Sequence, residues 1–297
     1  ATSYPRRMFL SQIVDSAGNA LKLSYDNQSR LTSLKDATGR DTSFSYGLPA
    51  NPLLVTQITD PFGRHADLTY DASGRLSSIT DVLGLTSSFS YDAGGLVNAM
   101  TTPYGNSRFT YGEDSYYNTR YLEMTDPLGQ TERLEFRHSA PGMPYSDPIA
   151  PTGLSYFNVY LFYRNTFYWD KNTYPVTHTD YAKAQITHWL HNSVGQTSPI
   201  VESTKLPLER RGWRTYPGQS YTYYEGNMGV PAIIARVLDD GTTQATTLTY
   251  NTLGRPLTIT DPQGRVTRFT YAANDIDVLT VEQKTNASGY ATIATLT

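Results

Sequence analysis

A four-residue turn signal that returns every ten or eleven residues leaves this chain room for one short strand between turns, and none for a helix of ordinary length. The tetrads are Asp15-Ser-Ala-Gly18, Asp26-Asn-Gln-Ser29, Asp36-Ala-Thr-Gly39, Asp60-Pro-Phe-Gly63, Asp71-Ala-Ser-Gly74, Asp81-Val-Leu-Gly84, Asp92-Ala-Gly-Gly95 and Thr102-Pro-Tyr-Gly105. From Asp60 they begin at 60, 71, 81, 92 and 102, so two steps make one 21-residue hairpin unit. Asp at the first position can accept from the backbone N–H two residues on, and Pro61 presets φ at the second. Gly at the fourth suits a type I turn or a bulge at positive φ. Between turns, Leu68 and Tyr70, then Phe89 and Tyr91, recur at period two. That predicts an all-β antiparallel meander with one apolar face.

The phrase Leu68-Thr-Tyr-Asp-Ala-Ser-Gly-Arg-Leu-Ser-Ser-Ile-Thr-Asp81 returns as Leu248-Thr-Tyr-Asn-Thr-Leu-Gly-Arg-Pro-Leu-Thr-Ile-Thr-Asp261, followed by Pro-Gln-Gly264 and Phe269-Thr-Tyr271. Both closely resemble the YD repeat of RHS proteins, in which Tyr-Asp, Gly-Arg-Leu, Ile-x-Asp and a later Gly recur. The likeness covers roughly residues 10–136 and 231–272. Thr102 and Asn251 depart from it by replacing Asp, and Leu48-Pro-Ala-Asn-Pro52 stretches one unit. The division expected is YD/RHS hairpins over 1–137, an aromatic-rich insert over 138–230, and repeats resumed over 231–297. Asp60, Gly63, Asp71, Gly74, Asp81, Gly84, Asp261 and Gly264 are assigned structural turn roles.

Composition narrows the function. Of 297 residues, 17% are charged and 12% aromatic, with 24 Tyr, a balance that favours strands. The net charge of −3 and the scatter of Lys and Arg make nucleic acid an unlikely partner. No stretch approaches the ~20 apolar residues of a membrane-spanning helix. Ala1 to Leu10 has Arg6 and Arg7 but no apolar segment after them, so no export signal is expected in the chain as given. With no Cys, disulfides and Cys-based zinc sites are excluded.

All three Trp and 11 of the 24 Tyr lie in 138–230. Pro141 to Pro151 is too proline-dense for a central strand or a helix. Phe157, Val159, Leu161, Tyr163, Phe167 and Trp169 share a period-two face broken at Asn165, which predicts a long strand or a hairpin turning near Arg164-Asn165. A helix is predicted over 180–193, capped by Asp180, with Ala182, Ile186, Trp189 and Leu190 on one face and Gly195 as its stop.

On that helix His188 and His191 would stand three apart, with His178 nearby, a spacing that can chelate a metal. No third ligand falls at a recognised spacing, so structural histidines are the expectation, and neither metal nor cofactor is assigned. Glu202, Glu209, Glu225, Asp239 and Asp240 offer carboxylates for a glycosidase pair, which needs two of them roughly 5–10 Å apart. No nucleophile elbow, P-loop or dinucleotide fingerprint is present, and no catalytic residue is assigned. Trp169, Trp189 and Trp213 are the candidates for glycan stacking, against the plainer reading that they form the core of the insert.

The family resemblance implies a curved or spiral shell segment. In bacterial toxin systems such shells look like hollow cocoons around a C-terminal toxic domain, and in animal relatives like adhesive shells; carbohydrate binding is also associated with the repeat. It implies an extracellular or cell-surface location, and as partners further RHS/YD repeats through open sheet edges, a glycan, or enclosed cargo. The family's cargo boundary is Asp-Pro-x-Gly followed by paired glycines, whereas Asp126 and Asp261 open that pattern and continue as Gln-Thr and Arg-Val. Self-cleavage and toxin residues are therefore not assigned. The expectation is a non-enzymatic shell wall; the alternatives are a carbohydrate-binding or adhesion module and a glycan-active enzyme in the insert.

Overall fold

A computed structural model describes residues 8–154, 158–221 and 223–296; Phe157, expected in the insert strand, lies outside them. Among the described residues the chain has 22 strands. Two compact units divide the chain, one of residues up to Phe109 with Thr125–Gly129, the other of Thr110–Met124 with the residues from Gln130 on.

The first unit contains β1 (Gln12–Val14), β2 (Ala20–Tyr25), β3 (Leu31–Lys35), β4 (Asp41–Ser45) and β5 (Gln57–Thr59). It continues with β6 (His65–Tyr70), β7 (Leu76–Thr80), β8 (Thr86–Tyr91), β9 (Val97–Thr102) and the start of β10 (Gly105–Asp114). Each strand pairs antiparallel with the next in sequence. Leu23 faces Leu34, Phe44 faces Ile58, Leu68 faces Ile79 and Phe89 faces Met100 across the ladder. These eight side chains are only half-buried, and Ser107 alone among the described residues of this unit is buried.

What holds such a thin sheet is visible in each turn. The Asp71 Oδ1 accepts from the N–H groups of Ser73 and Arg75, both at 2.9 Å, while its Oδ2 takes Arg75 Nε at 2.7 Å. The arrangement recurs at Asp60 with Arg64 and at Asp261 with Arg265. Asp81 makes the same two backbone contacts, to Leu83 and Leu85. Gly63, Gly74, Gly84 and Gly264 have φ between +77° and +81°, the left-handed conformation that a bulged hairpin loop requires of its last residue. The repeat tyrosines complete the lock. Tyr46, Tyr70, Tyr91 and Tyr271 each donate their hydroxyl to a carbonyl 15 residues back, those of Leu31, Val55, Leu76 and Pro256, at 2.6–2.8 Å. The Arg30 and Arg75 guanidinium groups lie 4.5 Å over the Tyr46 and Tyr91 rings. Asp, Arg and Tyr of Tyr-Asp-x-x-Gly-Arg thus bind one another and the backbone across successive hairpins.

The second unit has the remainder of β10, β11 (Thr119–Thr125), β12 (Thr131–Ser139), β13 (Tyr163–Trp169), a one-turn helix α1 (Tyr174–Thr177) and β14 (Gln185–His191). Then come β15 (Thr197–Lys205), β16 (Gly212–Thr215), β17 (Ile233–Val237) and β18 (Thr243–Tyr250). It ends in β19 (Pro256–Thr260), β20 (Val266–Tyr271), β21 (Val278–Lys284) and β22 (Tyr290–Thr295). From β12 onward each strand again pairs antiparallel with the next. Residues 138–230 thus break the sequence repeat while their strands carry the meander on. Side chains are fully enclosed here: Phe167, Trp169 and Ile186 form one core, Leu161, Trp213 and Ala235 another.

The helix predicted over 180–193 is absent. Asp180 does cap, accepting from Ala182 N–H, but the capped element is a single 3-10 turn, Tyr181–Lys183, and Gln185–His191 is strand. Ile186 and Leu190 fit both periods, four apart on one helical face and, with His188 between them, alternating inward on a strand. Strands on either side decide the outcome, since β13 and β15 take up its backbone groups. Gly195 closes the Asn192–Gly195 turn at φ +82° instead of stopping a helix.

Candidate functional site

Extended backbone at 185–191 brings His188 to the interior between β13 and β15. Its register partners are Asn165 and Ser203. Pairing then slips, Trp189 opposing Val201, so Glu202 is the extra residue of a β-bulge. The bulge turns Glu202 inward beside Ser203; both are fully enclosed, as are His188 and Asn165. Arg164 on β13 and Arg211 before β16 bring two nearly buried guanidinium groups to the same place.

Hydrogen bonding assigns the imidazole tautomer. Asn165 Nδ2 donates to the carbonyls of Leu161 (2.8 Å) and Tyr163 (2.9 Å), so its Oδ1 must accept from His188 Nδ1 at 3.0 Å. His188 Nε2 lies 3.0 Å from Glu202 Oε2, and neither atom has a hydrogen bond of good geometry among the described residues. Burial pushes His188 well below the usual imidazole range, helped by Arg164 and Arg211. Burial also drives Glu202 well above the carboxylate range, against the pull of the same two arginines. Both directions favour the uncharged forms, a neutral ring beside a protonated carboxyl. Arg164 Nε donates to the Trp189 carbonyl at 2.9 Å, and Arg211 donates to Ser203 Oγ at 3.1 Å with Asp147 Oδ2 3.6 Å from its Nε.

The chemistry open to this group is limited by access. General acid–base catalysis needs the proton within hydrogen-bond reach of a reacting atom, and neither His188 nor Glu202 has exposed surface. Glu202 stands beside a histidine and two arginines instead of a second carboxylate; Glu209, Asp239 and Asp240 are exposed in loops. The dyad is a buried polar lock in the core. Beside it opens a cleft of about 210 Å³ lined by Tyr160, Tyr163, Arg164, His191 and Tyr223. Tyr160 and Arg164 sit at φ +58° and +53°, a strained backbone for L-residues.

His188 and His191 do not converge. His191 stacks on Tyr223 at 4.9 Å with Nδ1 bonded to the Asn192 carbonyl, and His178 bonds the Tyr174 carbonyl. Among the described residues no group of three or more His, Cys, Asp or Glu is placed to hold a metal. Trp169 and Trp213, candidates for glycan stacking, are core residues with 0% and 1% exposure and offer no face to a sugar. Trp189 is half-buried, its indole donating to Thr166 Oγ1 at 2.9 Å. Sequence reasoning weighed His188 and Glu202 separately and missed their pairing. Inward alternation of Ile186, His188 and Leu190 was the available signal.

The RHS repeat family matches residues 53–84, 70–107 and 250–290, so RHS repeats are present in both units. The crystal structure of TcdB2-TccC3 without its hypervariable C-terminal region is similar at 11% identity and a TM-score of 0.51, covering 93% of this chain and 13% of that one. The Photorhabdus luminescens Tc holotoxin pore is similar at 12% identity and a TM-score of 0.45, over 90% of this chain and 14% of that one. The first of these shows a shared fold, and this chain spans a small fraction of either protein. No curated protein matches.

Proposed function

We propose that this chain is a non-enzymatic wall segment of an RHS-repeat β-shell, part of a larger secreted or cell-surface assembly that separates folded cargo, such as a toxin, from solvent. The observation that carries the reading is the turn lock. Asp, Arg and Tyr, the residue types a binding or catalytic site would use, are occupied in bonding one hairpin to the next. A repeat whose motif Asp, Arg and Tyr serve the sheet is suited to covering area. The half-buried apolar ladder of the first unit supports the same role, since it offers a face for further covering.

Size sets what else the assembly must contain. A 150-residue cargo has a diameter of about 38 Å, and encircling it takes on the order of 30 strands at ~4.8 Å each. This chain supplies 22, so the remaining wall comes from further repeats, in the same polypeptide or another copy. A cryo-EM map of the native particle tests the proposal. Density enclosed against one sheet face is expected; a sheet with water on both faces and no enclosed volume sinks it.

A further inference from the structure

Alternate turns of a meander lie on the same rim of the sheet, and the two rims of the first unit differ. On one, the turns after β5, β7, β9 and β11 carry Phe62, Leu83, Tyr104 and Leu128 at their third position, exposed 67%, 79%, 84% and 85%. Ala17 and Thr38 precede them at this position; on the opposite rim it holds Gln28, Ser73 and Gly94, and the longer loop after β4 exposes Leu53 alone. The turn itself does not explain the difference. Gly63 and Gly74 close onto Asp60 and Asp71 with the same bond, 3.1 and 2.9 Å, at φ +81° and +77°, although one turn carries Phe and the other Ser. Four large apolar side chains are thus held largely in water; Phe62 meets the Arg40 and Arg64 guanidinium groups at 5.6 and 5.5 Å on its ring, and the others stand clear of such contacts among the described residues.

The backbone that carries them is held firmly. The N–H groups of Phe62, Leu83 and Leu128 are bound by the Asp60, Asp81 and Asp126 carboxylates at 2.8, 2.8 and 2.9 Å, and that of Tyr104 by Thr102 Oγ1 at 3.2 Å. Neighbouring turns adjoin: a Cβ added at Gly105 would lie 2.5 Å from Pro127 Cβ. Successive tips stand two strands apart, about 10 Å, which leaves between each pair a gap as wide as one apolar side chain. The partner that fits a row of evenly spaced knobs and gaps is another row of the same period.

We propose that this rim is a self-association surface, on which a second copy of the chain seats the same rim across a two-fold axis, its tips filling the gaps between these. At about 150 Å² for each tip, roughly 600 Å² is covered on each copy, and the total of about 1,200 Å² sits at the lower end of specific interfaces. That predicts reversible dimerisation in the micromolar range and is independent of the wall reading, which concerns the sheet faces.

A half-period offset across the axis brings either Leu83 or Tyr104 next to its own counterpart in the second copy. The chain has no cysteine, so Leu83→Cys or Tyr104→Cys introduces a lone thiol on this rim, and Ser73→Cys one on the other. Under mild oxidation the faster of Leu83→Cys and Tyr104→Cys is expected to form covalent dimers at least tenfold faster than Ser73→Cys. Sedimentation velocity should show the unmodified chain in monomer–dimer exchange and the Phe62→Ser/Leu83→Ser/Tyr104→Ser/Leu128→Ser variant monomeric, with its strand circular dichroism retained. An unmodified chain that stays monomeric to about 100 µM, equal crosslinking from both rims, or open-ended oligomers in place of dimers overturns the proposal.

Discussion

Replacing Glu202 by Gln tests the proton assignment of the buried dyad. The side-chain amide keeps the volume and, like a protonated carboxyl, carries no charge into the core, so near pH 6 the cost should stay under about 1.5 kcal/mol. Removing a partner from an ionised buried pair costs about 3–5 kcal/mol instead. The pH dependence is more discriminating. In the unfolded chain His188 titrates at its ordinary 6.5 and Glu202 at 4.5. Folding lowers the first and raises the second, and the folded pair holds one proton. Between pH 4.5 and 6.5 the unfolded chain also holds one, so the pair contributes a plateau. Below 4.5 the unfolded chain binds a second proton and stability falls with pH. Above 6.5 it binds none, and stability falls as pH rises toward the folded pKa of the pair, by about 1.4 kcal/mol per unit. Glu202→Gln abolishes that alkaline limb, because neutral His188 is then common to both states. Urea unfolding followed by Trp fluorescence should show wild type losing stability relative to the variant as pH rises above 6.5, at no more than about 1.4 kcal/mol per unit. Parallel curves, or a cost above 3 kcal/mol at pH 6, refute the assignment of an uncharged pair.

Ser29 occupies the glycine position of its tetrad at φ +66°; Ser29→Gly should stabilise by about 0.5–1 kcal/mol, read as a raised urea midpoint at unchanged slope. Tyr70→Phe removes the hydroxyl bonded to the Val55 carbonyl at 2.6 Å and should cost about 1 kcal/mol; a matching cost at Tyr91→Phe, measured the same way, checks that the lock is a property of the repeat. Trp213→Ala empties a fully enclosed site between Leu161 and Ala235 and should cost about 3–5 kcal/mol in thermal unfolding, the signature of a core residue.

The repeat was legible because its determinants are local. Each Asp-x-x-Gly turn is set by one side chain and one backbone conformation within five residues, and the strands follow from the spacing. The Arg of Gly-Arg was legible as a motif but not as a part, since its stacking on Tyr91 joins residues 16 apart that only a formed sheet brings together. Residues 180–193 were misread because Ile186 and Leu190, four apart, obey both periods, and pairing with β13 and β15 chose between them. Glu202 was beyond reach for a different reason. Strict alternation would put Glu202 and Ser203 on opposite faces, and the bulge that turns both inward is a defect of register with no residue signature.

The two units stand at opposite ends of what can hold a sheet together. The first has almost no enclosed side chain, and its stability must come from the ladder and from locks repeated at each hairpin; the second adds cores around Trp169 and Trp213 and a buried dyad. Local locks contribute per repeat, so a sheet built on them can be lengthened without redesigning a centre, as in other repeat architectures. They also ask little of the remaining positions, which need only alternate. That accounts for a fold shared with TcdB2-TccC3 at 11% identity: where stability lies in a few turn residues, the face between turns is free to diverge. The apolar tips at Phe62, Leu83, Tyr104 and Leu128 stand out against that freedom, because a position the fold leaves open has been filled four times in succession on one rim with what water least favours.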